Sequence, residues 1–145
     1  MREALALALE SFAEGEVPVG AIVVASGEIV GRGRNLREST KDPLGHAELM
    51  AIAEAAAHLQ SWRIPKSTLY VTLEPCMMCA GAIMQARIER VVFGTRDPKA
   101  GAVRSLYATL EDPRLPHRAQ VIEGILQEEC HAQLASFFRG LRGEG

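Results

Sequence analysis

Two short motifs, His46-Ala47-Glu48 and Pro75-Cys76-Met77-Met78-Cys79, constrain the folding of this chain more than any other feature. One imidazole and two thiolates are three metal donors, split between segments that the fold must bring together. A catalytic zinc takes three protein ligands and keeps its fourth position for water, whereas structural zinc sites close with four. Glu48 lies two residues past the histidine, so it can stand beside that water without occupying the metal. A purely structural zinc site is the competing reading, and the presence of only three evident donors weakens it.

The pattern between the motifs alternates strands with helices. Glu3 to Glu14 places Leu5, Leu9 and Phe12 at helical spacing, and Gly15 ends the run. Val19 to Ala25 is continuous and β-branched, which reads as a buried strand. Ser26-Gly27 is a turn signal, and Glu28 to Arg34 reads as its antiparallel partner. Ala47–Leu59 is an alanine-rich helix, Thr68–Leu73 a strand, Cys76–Ala86 a helix and Arg90–Phe93 a strand. Val121–Glu123 is a short last strand, and Gln127–Leu141 is a closing helix. Strands alternating with helices predict an α/β sheet covered on both faces. There is no linker, repeat or low-complexity stretch, so residues 1–145 read as a single domain.

This arrangement puts His46 at the start of one helix, after Asp42-Pro43, and both cysteines at the start of another, after Pro75. Helix N-termini carry partial positive charge and free N–H groups, which favour thiolates, as does a metal. The C-x-x-C spacing on a helical turn places both sulfurs on one face.

Composition narrows the setting. Hydrophobic residues make up 48% of the chain. No apolar run approaches the ~18 residues of a membrane span. Glu3 and the mixed pattern around it do not fit a signal peptide. Three cysteines, two of them in C-x-x-C, point to a reducing cytoplasm and not to a disulfide framework. Net charge is −2, yet from Gln85 to Arg118 seven basic residues face four acidic ones. That segment is +3 and the remainder −5, which suits a surface meeting phosphates in one place or a solvated face of scattered arginines.

The paired motifs H-x-E and P-C-x-x-C are the signature of zinc-dependent nucleobase deaminases. The chain more closely resembles the bacterial tRNA-specific adenosine deaminases of the cytidine/deoxycytidylate deaminase superfamily. The resemblance runs through Glu16–Ala21, Asn35, Asp42-Pro43, His46–Glu48, Leu69–Cys76, Cys79–Ala82, Arg90–Gly94, Arg96-Asp97, Gly124–Leu126 and Phe137–Arg139. It departs at Leu36-Arg37, at Leu44-Gly45 and in the tail from Gly140.

The resemblance implies a cytidine-deaminase-like fold, a three-layer α/β/α arrangement with a five-stranded mixed sheet. It implies Zn2+ held by His46, Cys76 and Cys79, with Glu48 as the catalytic proton shuttle. It implies substrate contacts at Asn35, Ala47, Asp97, Phe137 and Phe138, with one phenylalanine facing the nucleotide and the other the core. The implied reaction is hydrolytic conversion of adenosine to inosine at the wobble position of a tRNA anticodon stem-loop, by a cytoplasmic homodimer. The apolar character of Ala47–Leu59 and Cys76–Ala86 fits a dimer, since it exceeds what one small sheet need cover. Asp97 before Pro98 also reads as a turn former, or as an acceptor for a ribose 2′-hydroxyl.

Other features read more plainly. His58, His117 and His131 read as surface histidines, and Cys130 as a buried thiol. Met77 and Met78 read as packing residues. Trp62 reads as core, with base stacking as the alternative. Gly31-x-Gly33 reads as a strand-end pattern. Two rival functions remain at this level: a deaminase of a free base or nucleoside such as guanine or cytosine, and a non-catalytic zinc-stabilised RNA-binding module. Glu48 counts against the second, because a binding module needs no shuttle carboxylate.

Overall fold

The computed structural model describes residues 1–143, leaving Glu144 and Gly145 at the end of the tail outside it. Its elements are α1 (Arg2–Ala13), β1 (Gly20–Ala25), β2 (Glu28–Arg34), α2 (Arg37–Thr40), α3 (Ala47–Leu59), β3 (Ser67–Leu73), α4 (Met77–Ala86), β4 (Arg90–Thr95), β5 (Gln120–Glu123) and α5 (Gln127–Leu141). The sheet order is β2-β1-β3-β4-β5. Strand β1 runs antiparallel to both β2 and β3, whereas β3, β4 and β5 are mutually parallel. The sheet is therefore the mixed five-stranded one expected. The β1–β2 register shifts at Val23/Val24, where β2 carries an extra residue as a bulge.

Two strand glycines explain where α3 sits. A Cβ at Gly31 would lie 2.1 Å from the Ala51 carbonyl oxygen, and one at Gly33 would lie 2.1 Å from that of Ala47. Backbone meets backbone there, so Gly31-x-Gly33 is the seat of the helix and not merely a strand ending. The alanines of α3 complete the close fit: Ala47, Ala51 and Ala55 are fully buried. Helix α4 packs beside α3, while α1 and α5 cover the opposite face, where Phe12 and Phe137 meet edge to face at 5.8 Å. The largest fully buried side chains include Phe93, Ile64, Leu69, Ile83, Ile88 and Leu110.

Burial differs from the sequence reading at Trp62 and at Met77, which was read as a packing residue and is 48% exposed. Helix α1 buries Ala4, Leu5, Ala8 and Ser11, and Leu9 is exposed. The strand approaches the small residues of that helix, so the larger Leu9 turns outward. Trp62 is not core: it is 62% exposed, with the Arg63 guanidinium 4.9 Å from its ring centre.

Candidate active site

His46 and Cys76 occupy equivalent places, each the N-cap residue of its helix with an extended backbone. Cys79 follows within the first turn of α4. The His46 Nδ1 lies 3.5 Å from Cys79 Sγ and 3.7 Å from Cys76 Sγ. Tetrahedral zinc, with bonds of about 2.3 Å to sulfur and about 2.0–2.1 Å to nitrogen, gives a nitrogen–sulfur edge of about 3.6 Å. The three donor atoms lie within 4.8 Å of one another and fit a metal ion of that kind. Nδ1 is the imidazole nitrogen that faces the sulfurs.

Electrostatically the three groups call for positive charge between them. Cys76 is pulled down to about 3, first by the hydrogen bond from Cys79 and then, against burial, by His46. Cys79 is pushed up, first because it gives its hydrogen to Cys76. His46 is raised above its ordinary value, first by the Cys76 sulfur. The pair of sulfurs therefore takes one negative charge readily and a second only with a cation beside it.

Glu48 is buried in the first turn of α3. Burial pushes its carboxyl up to about 7, the range in which a carboxyl can both accept and give a proton near neutrality. It lines a cavity with His46 and Cys76 whose walls include Val17, Val19, Asn35, Arg37, Ala47, Leu73 and Asp97. The apolar Val17, Val19 and Leu73 were not singled out as contacts from the sequence, since nothing in their spacing marks them, whereas Arg37, where the chain departs from the resemblance, stands at the cavity.

The remaining expected contacts are placed differently from one another. Asn35 is on the cavity wall, but its amide already donates to the Val17 carbonyl at 3.1 Å and accepts from the Arg37 N–H at 3.2 Å. Asp97 is also on the wall. Its Oδ1 accepts from the N–H groups of Lys99 and Ala100, which is the turn-forming role. Phe137 is core, packed on Phe12, and does not line the cavity. Phe138 is 42% exposed and sits in a separate surface depression with Lys99, Arg139 and Arg142.

The basic segment is less uniform than its charge count suggested. Arg96 pairs with Glu123, Arg104 with Glu111 and Arg114 with Asp112. His58 and His131 are exposed, and half-buried His117 hydrogen-bonds the Ile88 carbonyl at 2.7 Å. Cys130 is buried and far along the chain from the donor trio.

Two buried carboxylates were given no role from sequence. Glu16 accepts from the Glu38 N–H at 3.0 Å, the Ser39 N–H at 2.6 Å and the Ser39 hydroxyl, and so fixes α2. Glu74, between Leu73 and Pro75, holds the segment after β4. An acidic residue abutting an otherwise apolar strand end was the available signal.

The fold and the donor geometry together define a deaminase. The chain belongs to the MafB19-like deaminase family, whose pattern matches residues 1–139. It is 49% identical to a tRNA-specific adenosine deaminase of Bacillus subtilis (strain 168), over 98% of this chain and 88% of that one. A solved structure of a tRNA:A34 deaminase, studied for A-to-I editing at the wobble position of transfer RNA, superposes with a TM-score of 0.89. That match is 40% identical and covers 92% of this chain and 97% of the other. A guanine deaminase from Bacillus subtilis is more distant, with 29% identity and a TM-score of 0.65 over 99% of this chain and 92% of its own.

Proposed function

We propose that this protein deaminates adenosine to inosine at the wobble position of tRNA, using zinc held by His46, Cys76 and Cys79. The observation that carries the reading is the cavity in which buried Glu48 adjoins a donor trio of tetrahedral dimensions. The similarity to tRNA deaminases, at 49% and 40% identity against 29% for the guanine deaminase, supports RNA as the substrate.

When bound, zinc supplies hydroxide as a nucleophile near neutral pH. Glu48 takes the proton released from water, passes it to a ring nitrogen of the adenine, and delivers a proton to the departing amine. Water and adenosine thus give inosine and ammonia. Val17, Val19 and Leu73 give the base an apolar slot, against which Ala47 packs closely. Asn35 has one amide hydrogen and one carbonyl lone pair beyond its internal bonds, enough to pair with a base edge.

Phe138, backed edge to face by Phe137 at 5.5 Å, offers a ring to a neighbouring base, with Lys99 and Arg139 for phosphates. Asp97 offers its second carboxylate oxygen to a ribose hydroxyl. A homodimer fits the exposed apolar side chains of Leu44, Met77, Leu106 and Tyr107. No helix among the described residues is long and apolar enough to cross a membrane, in keeping with a cytoplasmic tRNA enzyme.

The test compares an anticodon stem-loop with free adenosine and free guanine as substrates. Inosine formation in the stem-loop at a far higher kcat/KM than on either small molecule is expected. Equal turnover of stem-loop and free adenosine, or preference for guanine, contradicts the reading.

A further inference from the structure

We infer that Glu74 is the positioning residue that fastens one wall of the substrate cavity to the metal-donor helix. Its carboxylate is 2% exposed and is saturated by one segment. Oε1 accepts from the Asp97 N–H at 3.0 Å and from the Ser105 hydroxyl. Oε2 accepts from the N–H groups of Val103, Arg104 and Ser105 at 3.0, 2.7 and 2.8 Å. These five bonds span residues 97 to 105, a stretch with no helix or strand of its own to hold it.

The same stretch meets the start of α4 directly. The Ala102 N–H donates to the Pro75 carbonyl at 2.9 Å, and Gly101 forms a bridge with Cys76. Glu74 thus stands two residues before a metal donor and grips the segment that brings Asp97 and Ala100 to the cavity. Gly101 is required by the same packing: a Cβ there would lie 2.3 Å from the Glu74 carboxyl carbon. A carboxylate is the fitting group because every partner is a donor. A glutamine would turn an NH2 toward some of those donors and leave a buried N–H unpaired.

This assignment rests on the RNA reading only where KM is measured. The experiment uses Glu74→Gln in the full zinc-loaded protein and reads KM and kcat on the stem-loop, zinc content, and amide exchange. Expected are full zinc, faster exchange at the amides of residues 97 and 103–105, and a KM raised about 10-fold with a much smaller fall in kcat. Gly101→Ala and Ser105→Ala should move the same amides and KM in the same direction, and they decide the matter if Glu74→Gln does not fold.

Unchanged exchange at these amides overturns the inference. So does a KM like wild type despite faster exchange, or loss of zinc with KM unmoved, which would make Glu74 a support for Cys76 alone. Exchange needs no substrate. If the wild type fails to deaminate the stem-loop, the functional reading falls while exchange still judges Glu74.

Discussion

Gly33 lies directly beneath Ala47, so close that a Cβ on the glycine would come within 2.1 Å of the Ala47 carbonyl oxygen. Ala47 separates the proposed metal donor His46 from the proposed shuttle carboxylate Glu48, so this backbone contact sets the depth at which both enter the cavity. Gly33→Ala must lift the first turn of α3 off the sheet. Overpacking of this kind costs about 1–3 kcal/mol, which lowers Tm by about 3–10 °C in a domain of this size. Activity should fall by more than stability alone explains, because His46 and Glu48 move together. Calorimetry and kcat on the same preparation check this; a variant matching wild type in both would show that the helix has room to spare.

Cys76→Ser should reduce zinc below the one ion per chain expected of a three-ligand site. Cys130→Ser, which changes a buried thiol packed against Gly94, should leave zinc content intact while costing some stability. Elemental analysis of chelator-free protein distinguishes the two. A Cys76→Ser protein with full zinc would remove Cys76 from the ligand set.

Glu16 predicts a pH effect that is independent of the metal. Burial raises its pKa, but the Ser39 hydroxyl and the N–H groups of Ser39 and Glu38 outweigh burial and hold the carboxyl below its ordinary 4.5. A depressed folded-state pKa contributes stability above the unfolded value and loses it as pH falls through the folded one. Glu16→Gln should therefore be less stable than wild type at about pH 7, and the gap should narrow as pH falls below 4.5 and the wild-type carboxyl takes a proton. Urea midpoints across this range give the answer. A constant gap would mean the amide fails on shape and not on charge.

The depression around Phe138 should contribute phosphate contacts. Arg139→Ala should raise KM on a stem-loop and reduce the dependence of log K on log salt by about one charge, without altering zinc content. Unaltered salt dependence would place the RNA elsewhere.

Much of this was legible in the residues. Helices α3, α4 and α5 are delimited by composition and punctuation, and the donor trio by spacing, because local periodicity and ligand chemistry leave few alternatives. Long-range packing was not legible. The role of Gly31 and Gly33 depends on a helix that follows them in the chain and returns over them. Trp62 is exposed because the turn after α3 finds Arg63, not the core, as its neighbour. The segment from Arg96 to Ala119 carries no periodicity, since hydrogen bonds from its backbone N–H groups to the Glu74 carboxylate hold its first part. Three of the four arginines of that segment, Arg96, Arg104 and Arg114, add to a basic count in sequence but pair with Glu123, Glu111 and Asp112 in space.

The most direct test of tRNA adenosine deamination is to incubate the zinc-loaded protein with total bacterial tRNA and sequence for adenosine-to-inosine conversion, with Glu48→Ala alongside. The account predicts inosine at a wobble position with the wild type. Glu48→Ala should retain its zinc and its RNA binding but convert at least about 10²-fold more slowly, as expected for loss of a general acid–base group. Absence of inosine from every tRNA, or a Glu48→Ala protein within tenfold of wild type, would contradict it.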